Sequence, residues 1–182
     1  MGHLVLAREA ADQLDLEQVL IIPVGEAPHR RIDAEPGPDV RLEMVTAATA
    51  GDDVLRPSRI EIEREGPSYT FRTLELLHEE RPSDEFNLIL GADAAAGLGS
   101  WREPQALLER AAVAVAGRPG TTLERALDAL ANLGAEPAAV IAMPELDISS
   151  SGLRRRVGSG RSIRYLTPDP VRTLIADRGL YL

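Results

Sequence analysis

Residues 86–120 read FNLILGADAAAGLGSWREPQALLERAAVAVAGRPG, and the alternation within them decides the fold. Residues 86–90 form a short apolar run that stops at Gly91. Residues 105–110 have helical spacing over a turn or two, and 112–116 form a second small apolar run closed by Gly117. Strand, helix and strand in so short a span make a crossover unit, whose two strands lie parallel. A strand that is apolar at successive positions has no wet face, so helices must cover both sides of its sheet.

The same alternation continues in both directions. Residues 3–14 have helical spacing with Leu4, Ala7, Ala11 and Leu14 on one face, and 19–22 (VLII) read as a buried strand ending at Pro23. Residues 24–38 are a loop rich in Pro, Gly and charge, and 40–50 a helix. Residues 59–63 (RIEIE) alternate as a strand with one wet face. A helix spans 70–80 and is closed by Pro82. Another spans 123–133, a strand spans 139–143, and the tail after Ser149 is mostly helical. No repeat, low-complexity tract or long linker divides the chain. Residues 1–182 are therefore expected to form a single α/β domain, with 148–182 as its C-terminal helical part.

Composition narrows the chemistry. The chain of 182 residues carries a net charge of −9, which disfavours nucleic acid and anionic membrane surfaces as partners. No apolar run approaches a membrane span, and no basic segment precedes an apolar one, so the cytoplasm is the expected compartment. There is no Cys, which excludes thiol nucleophiles, disulfides and thiolate metal sites. There is also no Lys, which excludes a Walker-type phosphate loop and Schiff-base chemistry. His78, beside Glu79 and Glu80, reads as a solvated surface residue, and His29 as a solvated loop residue.

In sheets of this kind ligands bind beyond the carboxyl ends of the strands. After 19–22 comes the loop reaching Pro28, His29, Arg30 and Arg31. After 86–90 come Gly91, Ala92 and Asp93; after 112–116 come Gly117 and Arg118; after 139–143 come Pro144 and then Ile148. Residues 148–171 read ISSSGLRRRVGSGRSIRYLTPDPV. Free N–H groups at a helix start, small hydroxyls and a guanidinium make a cradle for phosphate. Arg154 is expected to face that cradle, with Arg155 and Arg156 pointing elsewhere around the helix. An acidic protein with Arg30, Arg118 and Arg154 along one rim suits a polyanion of modest size, such as a nucleotide. A lone Ser before a helix can equally be a plain cap, Asp93 an N-cap of the turn 94–96, and Trp101 a core or hinge filler.

The rim motifs, in this order, resemble those of the bacterial nicotinate mononucleotide adenylyltransferases, a branch of the HxGH nucleotidyltransferases. The matching pieces are Gly2-His3-Leu4, Ala27-Pro28-His29-Arg30, Arg41-Leu42-Glu43-Met44, Gly66-Pro67-Ser68-Tyr69-Thr70, Gly91-Ala92-Asp93 with Trp101, Gly117-Arg118-Pro119-Gly120, Ile148-Ser149-Ser150-Ser151 with Arg154, and Tyr165-Leu166-Thr167-Pro168. The family opens with a strand and a turn of the type Gly-x-Phe-Asp-Pro-x-His-x-Gly-His, and this chain begins at the last x, occupied by Met1. Ser151 stands where the family usually has Thr, and Arg30 where it has Lys or Arg.

The resemblance implies a Rossmann-like three-layer α/β/α fold with a mostly parallel sheet, lacking here its first central strand. Residues 19–22 and 86–90 should then not be bonded directly to each other. It implies transfer of AMP from ATP to nicotinate mononucleotide, giving deamido-NAD and pyrophosphate, with Mg²⁺ accompanying ATP. His3 would be the catalytic residue, donating to the ATP phosphates. Gly2, Ile148, Ser149, Ser150 and Arg154 would complete the ATP site. Arg30 and Arg118 would hold the mononucleotide phosphate and Asp93 the ribose. Trp101 would stack on the pyridine, with Tyr69 and Thr70 lining the same pocket. No metal-ligating residue is expected, and a homo-oligomer is left open. Two other readings stand beside this one: a catalytically impaired nucleotide-binding fragment, because the glycine-rich turn is absent, and an adenylyltransferase for another acceptor such as phosphopantetheine.

Overall fold

The computed structural model describes residues 1–27, 36–117 and 123–182. In chain order the elements are α1 (Gly2–Leu14), β1 (Val19–Ile21), α2 (Pro38–Thr49), β2 (Leu55–Pro57), α3 (Thr70–Glu80), β3 (Asn87–Gly91), α4 (Ala92–Ala96), a 3-10 turn (Leu98–Ser100), α5 (Pro104–Leu108), β4 (Ala112–Ala116), α6 (Leu123–Asn132), β5 (Ala139–Ile141), α7 (Ser150–Gly158) and α8 (Asp169–Asp177). The described residues form two compact units. One comprises Met1–Val5, Glu17–Pro67 and Leu146–Leu182, and the other Leu6–Leu16 and Ser68–Glu145.

The second unit is built on β3, β4 and β5, hydrogen-bonded in that order and parallel throughout, as the crossover pattern requires. Central β4 is covered on both faces: Val113 and Val115 point one way, Ala114 and Ala116 the other, and all four are buried. The alanine face packs with Ala10 of α1 and Ile141 of β5, with Leu6, Leu14, Ile89 and Met143 around them. Small side chains on both partners let the helix approach the sheet closely. The buried face of α1 is Ala7, Ala10 and Ala11, and Leu14 is half-buried, so the predicted stripe is correct in direction.

In the first unit β1 and β2 pair in parallel, Val19 opposite Leu55 and Ile21 opposite Pro57. Helix α2 begins at Pro38 behind Gly37, because proline's fixed φ suits the first helical turn. It packs on α8 and β2, and Arg178 reaches Glu43 at 2.6 Å. That pair is half-exposed, so it adds no more than about 1 kcal/mol. The buried residues Val19, Leu42, Leu55, Ile60, Ile163 and Val171 supply the main cohesion. Strands β1 and β3 belong to different sheets, in agreement with the expectation that they are not directly paired.

Two expectations fail. Residues 59–63 are a turn and not a strand: Ile62 N and Glu63 N both donate to Arg59 O, at 2.7 and 3.0 Å. The guanidinium of Arg59 also meets Glu63 Oε1 at 2.9 Å, a contact that four-residue spacing allows on a coil and not on a strand. The strand lies earlier, at Leu55–Pro57, launched by Asp52, whose Oδ1 accepts from Val54 N and Leu55 N at 2.8 and 2.9 Å. His78 is not a solvated residue. It is half-buried, its Nε2 lies 2.8 Å from Arg110 O, and its ring meets Phe86 edge-on at 4.8 Å.

Leu98, fully buried in the second unit, is the natural probe of that core. Leu98→Ala is expected to lower unfolding free energy by about 2–5 kcal/mol in urea titration, because the cavity cannot fully collapse. A loss below half a kcal/mol would show that this side chain is not packed as described.

Candidate functional site

The start of α7 is organised by one hydroxyl. Ser149 has extended backbone (φ −117°, ψ 147°) and its Oγ accepts from Gly152 N at 3.1 Å, the usual geometry of an N-cap. Ser151 Oγ lies 3.4 Å from the same hydroxyl. The N–H groups of Ser150 and Ser151, in the first turn, point out of the helix start as every α-helix requires. Gly152 is small for a reason: a Cβ there would lie 3.0 Å from Ser149 Oγ and push on the cap. Thus the plain capping role of Ser149 is real, and it leaves the first-turn donors facing outward.

This helix start opens on a cavity of about 470 Å³ within the first unit. Ile148, Ser149 and Gly152 line it on one side, Leu153 and Leu166 give it an apolar wall, and Asp147 adds a carboxylate. Its positive charge comes from Arg155, Arg156 and Arg161. The sequence reading turns Arg154 toward the cradle and Arg155 and Arg156 elsewhere. Arg154 is not among the lining residues; its guanidinium lies over the Tyr181 ring, 5.6 Å from the centroid. Residues 149, 152, 153, 156 and 159 follow three- and four-residue spacing, so they share a face that Arg154 does not. Arg155 curls back over the first turn, with Nη2 4.0 Å from the Cβ position of Gly152. Arg156 forks onto Ser162 O through Nε at 3.1 Å and Nη2 at 2.9 Å, pinning the segment that leads to Leu166. Helical spacing from Ser149 onward carries this shared face in the sequence itself.

Gly2 and His3 stand in the first turn of α1 and belong to the same unit as Ile148, Ser149, Ser150 and Arg154. His3 is exposed. The acceptor-side residues fall in the second unit. Tyr69 is the N-cap residue of α3, half-buried and stacked near Phe71 at 6.1 Å, and Thr70 is the first helical residue. Arg72 N and Thr73 N both donate to Tyr69 O, so the Thr70 N–H lies ahead of the intrahelical bonds, as an anion donor must. Asp93 is exposed in the first turn of α4, which starts directly at the end of β3. It is not the N-cap, a place taken by Gly91. Trp101 closes the 3-10 turn, its N donating to Leu98 O at 3.0 Å. It is half-buried, so it is no core filler. Arg30, Arg118 and His29 lie outside the described residues. Among the described residues no group of three or more His, Asp or Glu forms a metal cluster.

Residues 1–156 match the family model described as cytidylyltransferase-like. A Roseiflexus protein named "Probable nicotinate-nucleotide adenylyltransferase" is 46% identical over 183 residues, covering 99% of this chain and 90% of that protein. A protein of the same name from Rubrobacter xylanophilus is 39% identical, covering 100% of this chain and 86% of its own length. The chain belongs to the nicotinate-nucleotide adenylyltransferase family. A solved Plasmodium falciparum nicotinic acid mononucleotide adenylyltransferase, complexed with NaAD, shares the fold: TM-score 0.77 at 17% identity, covering 99% of this chain and 90% of that one. The Rossmann-like α/β reading is therefore correct, with parallel ladders in both sheets.

Ser149→Ala is expected to destabilise the protein by about 0.5–2 kcal/mol, read by denaturant titration, because Gly152 N loses its acceptor. No change in stability would mean that the cap carries no weight at this helix start.

Proposed function

We propose that this nicotinate-nucleotide adenylyltransferase joins ATP and nicotinate mononucleotide into deamido-NAD. The reading is carried by one observation above all: a cavity of nucleotide size at a capped helix start, bearing three guanidiniums on an otherwise acidic chain. In the reaction a phosphate oxygen of nicotinate mononucleotide attacks the α-phosphorus of ATP. The bond from that phosphorus to the β-bridging oxygen breaks, and pyrophosphate leaves with the electron pair. No protein nucleophile is needed, so the work is alignment of two anions and neutralisation of shifting charge.

On the ATP side, Gly2 and His3 would bring the start of α1 to the phosphates, and His3 would donate a hydrogen bond as charge moves toward the leaving group. Ile148, Ser149 and Ser150 would present the first turn of α7 to the β- and γ-phosphates. Arg155 is the guanidinium facing that turn, and Arg154, one turn further along α7, would hold the departing phosphates with it. Mg²⁺ would arrive on the phosphates and supply charge neutralisation. Asp147, in the cavity wall, offers the oxygen donor that suits such a hard cation. On the acceptor side, Arg30 and Arg118 would hold the mononucleotide phosphate and Asp93 the ribose hydroxyls. Trp101 would stack on the pyridine ring, and Tyr69 and Thr70 would meet the carboxylate. No described helix is long and apolar enough to cross a membrane, and we place the reaction in the cytoplasm.

Incubating the purified protein with ATP, Mg²⁺ and nicotinate mononucleotide is expected to yield deamido-NAD and pyrophosphate in equal amounts. The amide mononucleotide should react more slowly and phosphopantetheine not at all. Transfer to phosphopantetheine with none to the mononucleotide would overturn the assignment. Trp101→Ala is expected to raise the KM for nicotinate mononucleotide about tenfold, since stacking on an aromatic ring is worth about 1–3 kcal/mol per base. The KM for ATP should stay unchanged; equal shifts for both substrates would remove Trp101 from the acceptor pocket.

A further inference from the structure

One face of α3 grips a single residue of the second unit at both of its ends. Glu75 and His78 lie three apart on that helix, so they share a face. His78 Nε2 is 2.8 Å from Arg110 O, and because a carbonyl only accepts, the imidazole donates there. Glu75 Oε1 meets Arg110 Nη2 at 3.3 Å. The other end of the same guanidinium, Nη1, donates to Ala106 O at 2.6 Å. Ala106 belongs to α5, so the rigid fork of Arg110 joins α3 to α5. Glu75 uses its second oxygen, Oε2, to accept from Arg72 Nη1 at 2.8 Å, which carries the tie into the first turn of α3.

The two helices lead to the two walls assigned to the acceptor. Thr70 stands five residues before Glu75 on α3, and Trp101 five residues before Ala106. Helix α5 packs on α3 and on the 3-10 turn that Trp101 closes. With only five residues, Pro104–Leu108, it is too short to hold its direction by its own hydrogen bonds. Arg110 gives it a directional tie that packing alone lacks. We propose that Arg110 is a positioning residue for the acceptor: clasped by Glu75 and His78, it sets the gap between the Thr70 wall and the Trp101 wall, and so the fit of a flat pyridine carboxylate. The proposal rests on the assignment of Thr70 and Trp101 to nicotinate mononucleotide. Arg110 acts through α3 and α5 and not on the substrate itself.

Trp101 is the only tryptophan of the chain, so its fluorescence reads that wall directly. The test compares Arg110→Met and Arg110→Lys with the unaltered protein, by steady-state kinetics and by the fluorescence anisotropy of Trp101 without substrate. Arg110→Met is expected to raise the KM for nicotinate mononucleotide by about tenfold, with the KM for ATP within about twofold. The anisotropy should fall as the ring gains nanosecond motion. Arg110→Lys keeps the charge but cannot reach Glu75 and Ala106 O together, and should recover only part of each effect. Unaltered anisotropy, or equal changes in the two KM values, overturns the proposal. If Arg110→Met does not fold, Glu75→Gln carries the same comparison. Trp101→Ala separates the two claims. If it leaves the mononucleotide KM unmoved, the role of Trp101 fails, and anisotropy alone decides whether Arg110 holds that wall.

Discussion

A chain of net charge −9 repels a polyphosphate over most of its surface, so any grip must come from donors concentrated in one place. Ser149 makes such a place possible. Its hydroxyl satisfies Gly152 N, which lets α7 begin abruptly and leaves the first-turn amides facing outward. Behind them the arginine run turns a cap into a charged wall, because helical spacing puts Arg155 and Arg156 on the cavity side. The fork from Arg156 to Ser162 O then holds the next segment in place, so that Leu166 closes the apolar side.

The second unit has its own rigid frame. Strand β4 is buried on both faces, and its flanking ladders fix where β3 stops. Because α4 starts with no intervening loop at the end of β3, the position of Asp93 follows from strand register. Trp101 follows a 3-10 turn anchored by fully buried Leu98, and Glu103 behind it takes a left-handed conformation (φ 51°) before Pro104 starts α5. A non-glycine residue held in that region costs about 1–2 kcal/mol, so the turn around Trp101 is overdetermined by packing. On the α3 side, Glu75 holds Arg72 at 2.8 Å and Arg110 at 3.3 Å, and this bond pushes the Arg72 guanidinium up from its ordinary pKa.

Most of the fold was legible because its strands are continuously apolar and its helices amphipathic. Residues 70–80 and 112–116 match to the residue, and the other predicted helices and strands that form have ends displaced by no more than two positions. The failures have physical causes. RIEIE alternates perfectly, yet its amides at Ile62 and Glu63 close back onto Arg59 O and no described strand pairs with it. Leu55-Arg56-Pro57 carries a proline and one buried residue, too little signal for a strand that owes its existence to pairing with β1. The bonds of Arg110 to Glu75 and His78 join positions that no local pattern connects.

Backbone amide chemical shifts of the labelled protein, followed as ATP and Mg²⁺ are added, address the site without recourse to turnover. If the phosphates are gripped at the start of α7, the amides of Ser149, Ser150, Ser151 and Gly152 shift most and saturate together. Saturating shifts confined to other segments, with these four amides unmoved, would contradict a phosphate site at this helix start.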